Sequence, residues 1–357
     1  MGKEVLHIID NMCLGGAQRI VSTLVEKNSE HALHSVRGTE NSMGDLNDHT
    51  STHSTSRYNI VSLIDCWKQV RKYDPEVIHC HLIKSKIIGV ILKILSRKDF
   101  ALVMHEHGHI WKGNSKYNTL LKYTSSVTDH HIAVSKHTEE LLKEKAGISD
   151  EKIEVVYNFV DRDEYNKETL ESFQSNLSID IDDESFTVGY GGRLEERKGW
   201  KSVVSAAEEN NDIQFLMSGS GTGEKKLNKK AEELDNLHYL GFLDDVKTLF
   251  SNIDCFVLPS HWDPSPMILY EVQSCGIPLI CTDANSINEL VEDKKNALTY
   301  PSRDIGQLSK LLIKVKGKQS LRTELARRGV SNSENYTFTE FQKSLEAVYS
   351  KLNVQYD

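Results

Sequence analysis

Short apolar runs alternate along the chain with longer stretches of helical period. Val5-Leu-His-Ile-Ile9 precedes a helical pattern from Gly15 to Glu26, Val77-Ile-His-Cys-His81 one from Ser85 to Leu95, and Ala101-Leu-Val-Met104 one from Tyr117 to Ser126. A run of four to six apolar residues followed by a helix predicts βαβ units on a parallel sheet. A further strand, His131-Ile-Ala-Val134, leads into Ser135, which has the chemistry of a helix cap, and a helix to Lys145. Residues 28–58 are polar and rich in Ser, Thr, His and Asn, and predict irregular strands and loops.

Between Asp161 and Ser185 the apolar period lapses, and a second alternating series opens at Phe186-Thr-Val-Gly-Tyr190. It continues through Ile213–Met217, Leu237–Leu240, Cys255–Leu258 and Pro278–Cys281 as a second doubly wound unit. Phe341, Leu345, Val348 and Leu352 then fall at helical spacing and predict a closing amphipathic helix. The expected domains are therefore residues 1–164, completed by the helix 336–357, and residues 165–335. A chain of 357 residues exceeds the size at which one core keeps growing, which agrees with two.

Composition narrows the function classes. With 38% hydrophobic and 27% charged residues and no apolar run near the ~18 of a membrane span, the pattern is that of a soluble protein. The first ten residues pass straight into a strand without a secretory pattern, which predicts a cytoplasmic location. Six scattered cysteines with no Cys-x-x-Cys pair argue against a disulfide framework or a cysteine zinc site. A net charge of −9 argues against general nucleic-acid binding, which needs a broad cationic face. Lys84, Lys86, Lys93, Arg97 and Lys98, followed by Lys112, Lys116 and Lys122 amid Trp111, Tyr117, Leu120 and Leu121, form a basic stretch. It reads as a solvated helix face or as peripheral contact with anionic lipid at the inner membrane face.

In open parallel sheets ligands bind beyond the carboxyl ends of strands. Gly15 and Gly16 open a helix there, either as an anion approach or as a plain tight turn. After Tyr190 comes Gly191-Gly-Arg-Leu-Glu-Glu-Arg-Lys-Gly199, whose Arg193 and Lys198 suit a diphosphate, at roughly 1.5–3 kcal/mol for each charge-assisted bond. The alternative is a surface charge run pairing those cations with Glu195 and Glu196. Pro259, Pro264, Pro266 and Pro278 crowd one region. There Ser265 reads as an N-cap and Pro266 as the first helical residue, leaving the N–H groups of Met267 and Ile268 open to an anion. Asp263 stands before that seat and Glu271 one turn inside the helix, placed to accept from a ribose diol, or else simply to cap and favour the helix dipole. Ser218-Gly219-Ser-Gly221 and Gly241-Phe242-Leu243 are candidate phosphate and base loops or ordinary turns. His105-Glu-His-Gly-His109 resembles a metal cluster only superficially, because Gly108 argues against a continuing strand, and His79 and His81 read as strand-end packing or cleft-lining groups rather than ligands.

Together these segments resemble glycosyltransferase family 4 over nearly the whole chain. Gly15-Gly-Ala-Gln-Arg-Ile20 looks like the family's diphosphate-approaching loop, and Asp74-Pro-Glu-Val-Ile-His-Cys-His81 like its second well-marked strand. Val156-Tyr-Asn-Phe-Val-Asp161 looks like its interdomain entry, Gly192-Arg193 with Lys198-Gly199 like its cationic clamp, and Asp263 to Glu271 like its Glu-x7-Glu signature. Here aspartate replaces the first glutamate and Pro264-Ser-Pro266 the usual Gly-Phe-Gly.

The resemblance implies an α/β fold of GT-B architecture, two facing Rossmann-like domains with a central cleft and a C-terminal helix returning to the first. It implies a retaining transfer from a nucleoside-diphosphate sugar to a glycan or lipid-linked acceptor hydroxyl, with no cofactor and no metal. His107 is the best match to the histidine over the donor sugar, with His105 and His109 as competing alignments. Arg193 and Lys198 would stabilise the leaving diphosphate, Asp263 would position the sugar and Glu271 would hold the ribose. Gly15, Gly16, Gly219, Phe242, Leu243, Met267 and Ile268 would line the donor. The rival readings are a nucleotide-sugar epimerase or phosphorylase on the same fold, and a sugar-nucleotide-binding subunit without catalysis.

Overall fold

A computed structural model describes residues 4–13, 15–38, 49–52, 60–96, 98–108, 115–173, 177 and 184–352. The chain divides into two compact units, Met1–Asn158 with Phe341–Asp357, and Phe159–Glu340. Sequence placed these divisions after residues 164 and 335.

The first unit is built on a parallel sheet of β1 (Val5–Ile9), β2 (His31–Ser35), β3 (His49–Ser51), β4 (Val77–His81), β5 (Ala101–Glu106), β6 (His130–Ala133) and β7 (Ile153–Val155), in the order β3-β2-β1-β4-β5-β6-β7. Every residue of β1, β2 and β4 is buried, as expected of parallel strands covered on both faces. Leu6, Ile8, Ile78, Cys80, Leu102 and Met104 pack one face against helices. The opposite face carries histidines. His7 lies beside His79, and Ile9 beside His81, which lies beside His105. Side chains alternate along a strand, so all four imidazoles share that face.

The polar segment 28–58 thus contributes two regular strands, β2 and β3; its remaining polar part, 39–48 and 53–58, lies outside the described residues. Ser135 caps the helix Lys136–Ala146 as its chemistry predicts, accepting from Thr138 N at 3.2 Å. The closing helix, Phe338–Lys351, buries Phe341, Leu345, Val348 and Tyr349. Tyr349 replaces the expected Leu352 because the helix has ended by then.

The basic stretch is corrected most. Lys86 is buried, and its ammonium pairs with the Glu106 carboxylate and donates to Tyr117 OH at 3.0 Å. Lys93 pairs with Asp129 at 3.0 Å and Lys98 with Asp74. Tyr117 and Leu121 are core. The helical period that aligned these lysines does not put them on one solvated face.

The second unit holds β8 (Thr187–Gly191), β9 (Gln214–Ser218), β10 (Leu237–Tyr239), β11 (Cys255–Leu258), β12 (Leu279–Thr282) and β13 (Leu298–Tyr300), parallel in the order β10-β9-β8-β11-β12-β13. Each sheet reverses its winding once, between β1 and β4 and between β8 and β11. Those two switch points are where doubly wound sheets open a crevice.

Candidate functional site

In the second unit the crevice is framed by the loops after β8 and β11, and glycines let them close on their neighbours. A Cβ on Gly219, at φ +142, would lie 1.8 Å from Gly192 O. One on Gly199, at φ +68, would lie 1.9 Å from Pro259 O. Both positions demand glycine sterically as well as conformationally. His261 N donates to Arg197 O at 2.8 Å and joins the two loops further.

Glu196–Lys198 forms one 3-10 turn, ended by Gly199, and this turn aims Lys198 across the switch point. Its ammonium forms an ion pair with Asp263, both side chains being largely buried. Ser286 Oγ donates to the Asp263 carbonyl and fixes the aspartate's backbone. Burial, followed by the charges of Asp263 and Glu195, pushes the Tyr190 phenol far above its ordinary pKa. Tyr190 therefore stays a donor, and its OH reaches Arg193 O at 3.1 Å. Arg193 itself is exposed and pairs with Glu195 at 3.0 Å, so the charge-run alternative describes its contacts. It does not describe Lys198, because Glu196 is taken by Lys201.

The helix after β11 runs Met267–Ser274 with Pro266 as its cap residue. Ser265 is not the cap: its hydroxyl bonds Tyr270 OH at 2.8 Å. The start is shifted by one residue because Pro266 keeps an extended ψ of 114°. Met267 and Ile268 remain the first two helical residues, whose N–H groups have no intrahelical acceptor. Ile268 also packs beside Gly191, where an added Cβ would come within 2.9 Å of its Cδ1. Glu271 is 5% exposed, in the second turn. Burial, then the Glu271 charge, pushes the Cys275 thiol up to about 12, so Cys275 is no nucleophile. Gly219 N and Ser218 Oγ both donate to Gly241 O, at 2.8 and 3.0 Å, which brings the ends of β9 and β10 together and leaves Phe242 half exposed beside Leu243. Arg193, Lys198, Gly219, Asp263, Met267, Ile268 and Glu271 thus all lie at the carboxyl edge of one sheet.

In the first unit Gly15 caps the helix Gly16–Lys27, and both glycines are exposed. Gly15 is extended, at φ 175°, so no left-handed turn is required there. His107 follows the end of β5, which stops at Glu106 as Gly108 suggested. Its Nε2 lies 3.0 Å from His81 Nδ1 and its ring stacks on His105 at 4.1 Å. His109 lies outside the described residues. Ring nitrogens of His81, His105 and His107 fall within 4.8 Å of one another, as do those of His7, His79 and His81. Burial holds His7, His81 and His105 well below the usual imidazole range and His79 at about 3.

Two residues at this edge escaped the sequence reading. Asp10 accepts from Ser85 N at 2.8 Å and Lys84 N at 3.2 Å, capping the helix Ile83–Leu95 from a distant strand end. Leu82, directly after β4, has φ 67°, a strained value for a residue with a branched side chain. A lone polar residue ending an apolar run is the only sequence signal for the first; the second has none.

The family described as Glycosyltransferase Family 4 matches residues 39–164, and that described as Glycosyl transferases group 1 matches residues 174–332. An uncharacterized glycosyltransferase of Methanocaldococcus jannaschii is 26% identical over 65% of this chain and 63% of its own length. The UDP-Gal:alpha-D-GlcNAc-diphosphoundecaprenol alpha-1,3-galactosyltransferase of Escherichia coli is 26% identical over 71% and 70%. Among solved structures, sucrose-phosphate synthase from Thermosynechococcus elongatus superposes with a TM-score of 0.83 at 15% identity, covering 98% of this chain and 99% of that one. Anabaena HepE in complex with UDP-glucose gives 0.78 at 18%, covering 97% and 99%. These solved chains share the GT-B fold, and with a match on each side of residue 170 the chain belongs to glycosyltransferase family 4.

Proposed function

We propose that this glycosyltransferase moves a sugar from a nucleoside-diphosphate sugar to an acceptor hydroxyl with retention, in the synthesis of an envelope glycan. The Lys198–Asp263 ion pair at the β8/β11 switch point carries the reading. An ammonium has three donors, so Lys198 can keep Asp263 and still take a phosphate oxygen. Asp263 is thereby held where a sugar joined to that phosphate would begin, one methylene short of the family's glutamate. Arg193, five residues before Lys198 and exposed, supplies a second cation by exchanging Glu195 for phosphate. Glu271 accepts from the ribose diol, while Gly219, Phe242 and Leu243 border the base.

Departure of the diphosphate is the step that needs help. The bond from the anomeric carbon to phosphate oxygen breaks as the acceptor oxygen bonds the same face, and the acceptor's proton passes to the departing phosphate. Lys198, Arg193 and the helix N-terminus at Met267 and Ile268 stabilise the charge that develops, the preorganised electrostatic contribution that dominates many enzymes. These groups supply the positive charge without a metal. His107 and the Gly15-Gly16 loop are assigned to the donor sugar and diphosphate by resemblance to the family.

UDP-sugars are the first donors to test, since similar proteins are a UDP-Gal transferase and a UDP-glucose complex. A diphosphoundecaprenol-linked sugar is the first acceptor, since the E. coli relative and a Campylobacter jejuni one are named for such acceptors. A lipid-linked acceptor also suits the apolar Ile60, Val61 and Ile64, exposed on the helix Ile60–Tyr73 of the acceptor-side unit. Peripheral contact with the inner membrane face from the cytoplasm belongs to the same proposal, with the basic contribution reduced to residues such as Lys116 and Lys122. No described helix is long and apolar enough to cross a membrane.

The test is transfer by purified protein with a panel of nucleotide sugars, wild type against Lys198→Ala and Arg193→Ala. Losing one such donor is expected to cost about 10²–10³ in rate. Near-normal turnover in both variants overturns the clamp. Donor consumption that needs no acceptor overturns transfer.

A further inference from the structure

The histidine face of the first sheet has a centre. His7 on β1 and His79 and His81 on β4 sit at the β1/β4 switch point, each fully buried, with one ring nitrogen of each within 4.8 Å of the other two. Each ring also has an outward partner. His7 Nε2 lies 3.0 Å from His31 Nδ1, His79 Nδ1 lies 2.6 Å from Tyr349 OH, and His81 Nδ1 lies 3.0 Å from His107 Nε2. The nitrogens left to face inward are His7 Nδ1, His79 Nε2 and His81 Nε2.

A hydrogen bond accounts for two of these, since His7 Nδ1 and His81 Nε2 are 3.0 Å apart. It leaves the third unexplained, because His79 Nε2 is buried with no partner among the described residues. An unpaired buried nitrogen costs about 1–3 kcal/mol, which three convergent rings need not incur without return. Metal-bound histidines almost always fix their ring by bonding the other nitrogen to a second group, typically a carboxylate, backbone carbonyl or water. Here the second nitrogen is held in each ring by a neighbouring side chain, an imidazole for His7 (His31 on β2) and His81 (His107 after β5) and a phenol for His79 (Tyr349 on the closing helix).

We infer that His7, His79 and His81 form a binding site for one nitrogen-preferring d-block cation, zinc or copper, at the centre of the first unit. Three imidazoles with no thiolate or carboxylate suit these ions rather than Mg2+ or Ca2+. The ion ties β1 to β4 and, through His79 and Tyr349, couples the docking of the closing helix to metal binding. Its place is structural: none of the three is assigned to the transfer reaction. The neighbouring group of His81, His105 and His107 is the weaker candidate, because among the described residues His105 has no hydrogen-bond partner on either nitrogen to orient it.

The test uses the full chain purified without a polyhistidine tag. Metal content is measured by mass spectrometry as isolated, after chelation, and after titration with Zn2+, Cu+, Cu2+, Ni2+ or Co2+, the last also read by its visible absorbance. One ion per chain is expected, and hydrogen exchange in the helix Phe338–Lys351 is expected to rise on chelation. His79→Gln is expected to abolish binding and His238→Gln, in the second unit, to leave it intact. Tyr349→Phe keeps all three ligands and is expected to weaken affinity about 10–100-fold, so the inference survives a folding failure of His79→Gln. Less than a tenth of an equivalent with every ion overturns it. So does equal binding by a folded His79→Gln, which would mean adventitious capture by others of the fifteen histidines.

Discussion

Lys86→Met removes the cation from the buried Lys86–Glu106–Tyr117 triad. The lysine and glutamate are 2% and 0% exposed and both meet Tyr117 OH, so the substitution leaves the Glu106 carboxylate without its charge partner. Breaking one side of a buried pair in this way costs about 3–5 kcal/mol. In a unit of this size each kcal/mol lowers the melting midpoint by about 2–4 °C, so a fall on the order of 10 °C is expected. Lys86→Met with Glu106→Leu should recover most of that loss, because two charges no longer need desolvation compensated. The recovery is expected to stay incomplete by about 1–3 kcal/mol, because the Tyr117 hydroxyl loses both its Lys86 and Glu106 partners, until Tyr117→Phe is added. Calorimetry of the four proteins, with hydrogen exchange of β4 and β5 to place the transition in the first unit, reads all three steps. A single variant within ~0.5 kcal/mol of wild type would show a solvated lysine, as expected of a surface basic stretch, and refute the burial argument.

Further outcomes follow from the same contacts. Gly199→Ala places a Cβ against Pro259 O and should cost more stability than a typical surface change while lowering transfer, since it displaces the turn carrying Lys198; a wild-type midpoint and rate would contradict this. Glu271→Ala should weaken nucleotide affinity about 10–100-fold, as loss of a charge-assisted bond implies, measured by calorimetric titration; unchanged affinity removes the ribose role. Burial holds His34 at about 4 and His131 at about 3, below the unfolded value near 6.5, so their native forms bind fewer protons. Stability is therefore full above pH 6.5 and falls below it, by about 1.3 kcal/mol for each group between pH 7 and 5.5. A denaturation midpoint that does not fall over that range, or a slope unchanged in His131→Leu, would show that these rings are not buried neutral.

The site in the second unit was legible because its chemistry is written in consecutive residues. Gly192-Arg193, Lys198-Gly199 and Asp263 to Glu271 each lie in one local segment, and glycine and proline mark where such segments must turn. What sequence left open was which carboxylate meets which cation. Glu195 and Glu196 are nearer along the chain, yet Lys198 crosses to Asp263, because adjacency of β8 and β11 puts their loops side by side. The helix start at Met267 rather than Pro266 was missed because the Ser265 hydroxyl, an ordinary cap in sequence, finds Tyr270 in the fold.

Local pattern by itself determined two parallel α/β sheets and a closing amphipathic helix, and it marked a break, placed after residue 164, and a cationic, glycine-rich candidate site. These depend on periods of two and 3.6 residues and on turn chemistry, which a linear chain displays. Tertiary structure alone decided the fate of the isolated polar residues in apolar strands. Lys86, placed by its helical spacing on a solvated face, became half of a buried ion pair because Glu106 and Tyr117 arrive from other elements. His7, His79 and His81, spread over two short apolar runs, converge because β1 and β4 are neighbours and their side chains alternate in step. Convergence of that kind is a property of strand order and register, and neither is written in any one segment of the sequence.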